Sequence, residues 1–256
     1  MVNSIILAGD SKKVTVEEGV ANKSLVYIQG KPMVAYVVDA LREAKKVGKI
    51  SVVGPVDELK PLLGDKVDFY FPDTESLFDN IRIGIVPFCS DHRILIITSD
   101  IPMIRGEMID DFIRESENCG ADFCYPIVGK ERNEEIFPGS KRTYVHLKEG
   151  TFTGGNAIYM NPQVIDRCEE FSRKLIDFRK KPWKTGKLLG LKFLVMFFLG
   201  ALSIPKIEDR FAEILGIRAT AIICDHPEIG NDVDKPEDIE MVRSYLSDIG
   251  VVGKHV

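Results

Sequence analysis

The chain is poor in the residues that build most metal and redox sites. Its five cysteines (Cys89, Cys119, Cys124, Cys168, Cys224) are odd in number and contain no CxxC pair. That pattern suits reduced thiols in a cytoplasmic protein better than a disulfide framework or a zinc site. Four isolated histidines (His92, His146, His226, His255) have no ligand spacing. Basic residues are not in excess: 34 Lys and Arg stand against 39 Asp and Glu, a net charge of −5. A nucleic-acid surface would need the opposite balance. The start, Met1-Val2-Asn3-Ser4, has neither a basic patch nor a long apolar run, so it reads as a strand and not a signal peptide. There is no internal repeat, low-complexity tract or long linker.

What is present suits an ordinary α/β enzyme. The 256 residues, 45% hydrophobic and 29% charged, suffice for one large domain with an insertion. Strand-like runs at 4–8, 49–53, 68–71, 93–98 and 122–127 alternate with helical patterns at 32–44, 76–85 and 106–117. This alternation predicts a parallel sheet with helices on both faces. The run Arg93-Ile94-Leu95-Ile96-Ile97-Thr98 is nearly all apolar, as a central strand buried on both faces must be. Short strands at 144–146, 151–152 and 157–159 follow. Then come a long helix at 163–180, a helix at 207–215, a strand at 219–224 and a last helix at 236–246. Residues 170–216 read as an all-helical insertion within a single 1–256 domain.

Three segments carry the chemistry: Leu7-Ala8-Gly9 with Lys23, then Ser99-Asp100-Ile101-Pro102, then Asp232-Val233-Asp234-Lys235-Pro236-Glu237-Asp238. A glycine turn, a lysine and separated aspartates are what holds a nucleoside triphosphate with its magnesium, a hard cation that prefers oxygen. In open α/β sheets ligands sit beyond the carboxyl ends of the strands, where Gly9 and Asp100 fall. Each residue also has a plain structural reading. Gly9 could only turn the chain, Lys23 could be solvated, and Asp100 or Asp234 could cap a helix.

In order and spacing these segments resemble the molybdenum-cofactor-type (MobA-like) NTP transferases, nucleotidylyltransferases with a GT-A-like fold. Further matching pieces are Lys23-Ser24-Leu25, Gly30-Lys31-Pro32-Met33 and Asn80-Ile81-Arg82-Ile83-Gly84-Ile85. The resemblance covers residues 1–128 well and 219–246 moderately. It implies an α/β three-layer sandwich with a mostly parallel twisted sheet. It also implies attack by a phosphate- or hydroxyl-bearing acceptor on the α-phosphorus of an NTP, with release of pyrophosphate. In that scheme Leu7, Ala8, Gly9, Lys12, Lys13, Lys23, Ser76, Asn80 and Ser99 bind the nucleotide, and Lys23 and Asp100 are catalytic. Asp100, Asp234 and, in reserve, Asp232 hold Mg²⁺ or Mn²⁺. Gly154, Gly155 and Asn156 contact the acceptor, a sugar phosphate, cofactor precursor or lipid precursor. Asn80 and Ser76 suit guanine or cytosine equally. The sequence departs from the pattern at Asp10, which replaces a loop glycine, at Ser11-Lys12-Lys13, where an arginine is expected, and at Lys235, in place of a threonine.

Two other functions compete. A GT-A glycosyltransferase would carry Asp-x-Asp at the strand end, where Asp100 is followed by Ile101-Pro102. A nucleotide-binding or membrane-associated regulatory protein needs no turnover. Segment 171–187 holds seven Lys or Arg against Asp177 and includes Trp183, and an apolar stretch follows at 188–204. That stretch is too short to span a bilayer. It reads as a buried helix, a homodimer interface or, over 180–204, a peripheral membrane contact at the inner face.

Overall fold

A computed structural model describes residues 1–9, 22–178, 190, 193, 195, 196 and 199–250. Lys12, Lys13, Trp183 and most of the apolar stretch after it lie outside the described residues.

Strand β1 (Val2–Leu7) enters the glycine turn. The hairpin β2 (Tyr27–Ile28) and β3 (Lys31–Pro32) leads into helix α1 (Met33–Glu43). Strand β4 (Val47–Val53), helix α2 (Val56–Leu63), strand β5 (Phe69–Phe71) and helix α3 (Leu77–Ile85) follow. Then come β6 (Ile94–Thr98), α4 (Gly106–Cys119), β7 (Phe123–Gly129) and α5 (Lys130–Ile136). The hairpin β8 (Val145–Leu147) and β9 (Gly150–Gly154) precedes β10 (Ala157–Met160) and α6 (Ile165–Phe178). Helix α7 (Ile204–Leu215), strand β11 (Ala219–Ile223) and helix α8 (Pro236–Asp248) complete the described elements. The sequence reading lacked α2 and α5; both are short, and α2 contains Pro61.

The main sheet runs β5-β4-β1-β6-β10-β7-β9-β8, with β11 on β7. Strands β5, β4, β1 and β6 are parallel. Beyond β6 the order differs from the expected parallel alternation, because β10 lies antiparallel between β6 and β7. Ala157, Tyr159 and Met160 of β10 are buried, and burial on two faces is satisfied by either strand direction, so the hydrophobic pattern alone does not encode it.

Strand β6 sends Ile94 and Ile96 to one core, with Ile5, Phe78 and Ile85, and Leu95 and Ile97 to the other, with Val34, Val38 and Phe112. That two-residue alternation, with helices on both faces, is why the run is apolar throughout. Leu7 pairs with Val53 on one side and Thr98 on the other, so Ala8, Gly54 and Ser99 follow at one edge. A third core joins Val26, Met103 and Val233 with Ile239 and Val242 of α8. Each of the first three lies within three residues of Lys23, Asp100 or Asp234, and their packing draws those polar side chains together. All five cysteines are free thiols. Among the described residues no helix is long and apolar enough to cross a membrane.

Candidate active site

The turn after β1 is held by Asn22, a buried residue. Its amide donates to the Ala8 carbonyl at 2.9 Å, and its Oδ1 accepts from Ser24 N at 2.8 Å and Ser24 Oγ at 2.6 Å. An asparagine in extended backbone before a helical turn is a strong cap, and it fixes Lys23 next to Ala8-Gly9. Gly9 has no room for a side chain, since a Cβ would stand 2.6 Å from Asp73 Oδ2. Ser99 N donates to the Leu7 carbonyl at 3.2 Å. Leu7, Ala8, Gly9 and Ser99 thus form one edge. The sequence reading overlooked Asn22 and Asp73; the first had a local signal in its capping position, the second had none.

Lys23 Nζ lies 2.5 Å from Asp100 Oδ2 and 2.6 Å from Asp234 Oδ1. Burial alone would lower the lysine's pKa, but the two carboxylates outweigh it and raise it. Burial likewise works against ionised Asp234, and the bond to Lys23 holds its pKa below the ordinary carboxylate range. Asp232 behaves oppositely: burial, then repulsion from Asp100 and Asp234, pushes it up to about 6, against the pull of Arg142. Arg142 Nη1 reaches Asp232 Oδ1 at 2.5 Å, its Nη2 donates to the Asp232 carbonyl at 2.8 Å, and its Nε to Asn231 Oδ1 at 3.0 Å. Val233 N donates to the Asp100 carbonyl at 2.9 Å, pinning the last loop to the end of β6.

Asp100, Asp232 and Asp234 each offer a carboxylate oxygen, and these lie within 4.8 Å of one another. Among the described residues Asp100 Oδ1 is buried without a hydrogen-bond partner, which is costly unless something positive meets it. An all-oxygen donor set with an orphaned carboxylate oxygen fits a hard divalent cation.

The other expected residues divide. Gly154, Gly155 and Asn156 line a polar cavity of about 400 Å³ that also contains Asp232, Asp234, Tyr125, Lys141, Arg142 and Lys235. A Cβ at Gly155 would stand 2.8 Å from Pro126 Cγ, so the chain can pass there only as glycine. Asn156 donates from its backbone and side chain to the Ile229 carbonyl, at 2.8 and 3.2 Å, and its carbonyl accepts from Thr98 N at 3.1 Å. Ser76 and Asn80 lie on the opposite flank. Ser76 Oγ caps α3 through Asp79 N. Asn80 is buried; its Oδ1 accepts from Thr74 N and Oγ1, and its Nδ2 donates to the Thr74 carbonyl. Its polar atoms are thus spent on shaping the loop that places Asp73 against Gly9. Lys31 pairs with Asp39 at 2.5 Å and sits over the Tyr36 ring, so this part of the Gly30-Lys31-Pro32 segment braces α1.

A family profile described as the MobA-like NTP transferase domain matches residues 4–176. The chain is 26% identical over 132 residues to a probable molybdenum cofactor guanylyltransferase of Thermococcus gammatolerans, matching 49% of this chain and 62% of that relative. It therefore spans less than two thirds of that relative's length. It is 26% identical over 243 residues to an 8-amino-3,8-dideoxy-manno-octulosonate cytidylyltransferase of Shewanella pealeana, matching 88% of this chain and 92% of that relative. Among solved structures, a hypothetical transferase from Thermus thermophilus superposes with a TM-score of 0.82 at 34% identity, covering 93% of this chain and 99% of that one.

Proposed function

The chain belongs to the MobA-like NTP transferase family, and from that premise we propose that it transfers a nucleoside monophosphate from an NTP to a phosphate- or hydroxyl-bearing acceptor. The acceptor oxygen attacks the α-phosphorus, the bond to the β-phosphate breaks, and pyrophosphate leaves. The observation that carries this reading is the convergence of Asp100, Asp232, Asp234 and Lys23 beside Gly9 at the strand ends.

Transfers of this type are catalysed largely by positioning and by charge complementarity in the transition state. Lys23, held by Asp100 and Asp234, carries a fixed positive charge next to the glycine turn, where the α-phosphate and departing pyrophosphate belong. Asn22 fixes the register between that lysine and the turn. Gly9 lets the triphosphate approach the backbone, with Lys12 and Lys13 assigned to the same phosphates. Asp100, Asp234 and Asp232 would hold Mg²⁺ or Mn²⁺, which would neutralise phosphate charge. The cavity formed by Gly154, Gly155, Asn156, Lys141 and Arg142 takes the acceptor. We place catalysis in one domain, with 170–216 as its helical insertion. Membrane contact through 180–204 stays a proposal of the same rank.

The relatives' names cover both a guanylyl and a cytidylyl transferase, so the base is an experimental question. Pyrophosphate release should be measured with each of the four NTPs, Mg²⁺ and pooled acceptors: sugar phosphates, cofactor extracts and lipid phosphates. Release with one NTP, abolished by a chelator, is expected. Release of phosphate instead of pyrophosphate, or none from any NTP, would overturn the reading.

A further inference from the structure

Arg142 lies between α5 and β8, outside the three segments that carry the phosphate chemistry, yet its guanidinium is spent on one of them. Nε donates to Asn231 Oδ1 at 3.0 Å, Nη1 to Asp232 Oδ1 at 2.5 Å and Nη2 to the Asp232 carbonyl at 2.8 Å. Three donors of one planar fork thus fix two consecutive residues, backbone and side chain together. A lysine, with one nitrogen on a flexible stem, has no equivalent grip. The arginine side chain is 10% exposed, and among the described residues it is the cation paired with Asp232.

The fork is itself held from behind. Asn231 is fully buried; its Oδ1 takes the Arg142 bond, and its Nδ2 donates to Asn133 Oδ1 and the Pro227 carbonyl, both at 2.7 Å. Asn133 of α5 is also fully buried, and its Nδ2 donates onward to Ser140 Oγ at 2.8 Å and Tyr144 Oη at 3.0 Å. Both amides therefore have donor and acceptor groups engaged, as a stable buried polar network requires. Ser140 and Tyr144 flank Arg142 in sequence, so the network closes on the segment that carries the arginine. From the other side, Val233 N donates to the Asp100 carbonyl. Asp232 is clamped between the end of β6 and the Arg142 fork, with its carboxylate beside those of Asp100 and Asp234.

We propose that Arg142 is a positioning residue for the divalent cation, acting through Asp232 by holding that carboxylate in place beside Asp100 and Asp234. This rests on the nucleotidylyl-transfer reading, in which Asp232 is one of the cation's carboxylates, and names the residue that orients it. Charge and orientation make opposite demands here. A guanidinium close to a cation site repels the cation, so by charge alone its removal would tighten binding. Partners that orient a ligating carboxylate are worth about 10–100-fold in metal affinity, so by orientation its removal loosens binding. The sign of the effect separates the two roles.

Mn²⁺ titrations followed by electron paramagnetic resonance, with the metal alone and with each NTP, read that sign without turnover. Arg142→Ala should weaken Mn²⁺ binding about 10–100-fold. Arg142→Lys, which keeps the charge and loses the fork, should weaken it too, and it serves in place of the alanine variant if that one does not fold. In the Asp232→Asn protein the same Arg142 change should alter Mn²⁺ affinity by less than about twofold, because the group it acts through is gone. Unchanged or tighter Mn²⁺ binding in the Arg142 variants, even with a lowered Tm, would overturn the proposal. So would an equal loss with and without the Asp232 carboxylate, or a wild type that binds no Mn²⁺ under any of these conditions. Pyrophosphate release by the wild type alongside any of those results would leave nucleotidyl transfer standing. Mn²⁺ binding that depends on Arg142 and Asp232 as expected, without pyrophosphate release from any NTP, would instead overturn the nucleotidylyl reading and leave the cation site with its positioning residue.

Discussion

Asp100 combines an oxygen paired with Lys23 and an oxygen buried with no partner among the described residues. Asp100→Asn removes the negative charge from that position and leaves Lys23 its bond to Asp234. Turnover should fall about 10²–10³-fold, the size of losing one electrostatic stabiliser, with the thermal midpoint nearly unchanged; wild-type activity would remove Asp100 from the site. Asp234→Asn should cost more than Asp232→Asn, because Asp234 also anchors Lys23 while Asp232 is engaged by Arg142; the reverse ranking in steady-state kinetics would transfer that role to Asp232. Asn22→Ala deletes the donor to the buried Ala8 carbonyl and should cost about 1–3 kcal/mol. It should also lower kcat more than it raises KM, since Lys23 loses its register; a stability loss with unchanged kcat would make Asn22 a fold residue only.

At the scale of the element, α3 approaches β1 closely through Gly84, where a Cβ would stand 2.5 Å from Ile5 Cγ2. Gly84→Ala should therefore destabilise the domain by about 1–3 kcal/mol through overpacking. Denaturant unfolding measures that cost, and an unchanged NTP KM would locate it in helix packing and not in base recognition. Helix α1 carries Asp39, bonded to Lys31 at 2.5 Å and Lys66 at 2.8 Å. Burial would raise its pKa, but the two lysines outweigh it and hold it below the ordinary carboxylate range. A carboxylate depressed in the folded state stabilises above the unfolded value of about 3.9 and loses that contribution as pH falls through its folded value. Asp39→Asn should thus lower Tm at neutral pH, with the gap to wild type closing in acid; a gap independent of pH would mean that packing dominates.

Over the whole molecule, the site is assembled from β1, the Lys23 turn, the end of β6 and the loop before α8. A ligand that bridges those parts should stabilise the entire domain. An NTP at a hundred times its Kd should add about 2.7 kcal/mol, read as a rise in Tm that needs NTP and Mg²⁺ together. Equal shifts with and without the metal would argue against a shared phosphate–cation site.

The sequence by itself determined the strand–helix alternation, the central burial of β6 and the residue types available for phosphate chemistry. Those follow from the two-residue and 3.6-residue periodicities and from short-range capping and turn chemistry, which neighbouring residues decide. Tertiary structure alone decided that Lys23 meets Asp234, 211 positions away, because that contact depends on Val26, Met103 and Val233 packing into one core. It likewise decided that β10 inserts antiparallel, that Asn80 spends its amide on Thr74, and that Arg142 and Asp73 border the site. No local pattern announces these features. They arise where distant segments exclude water together.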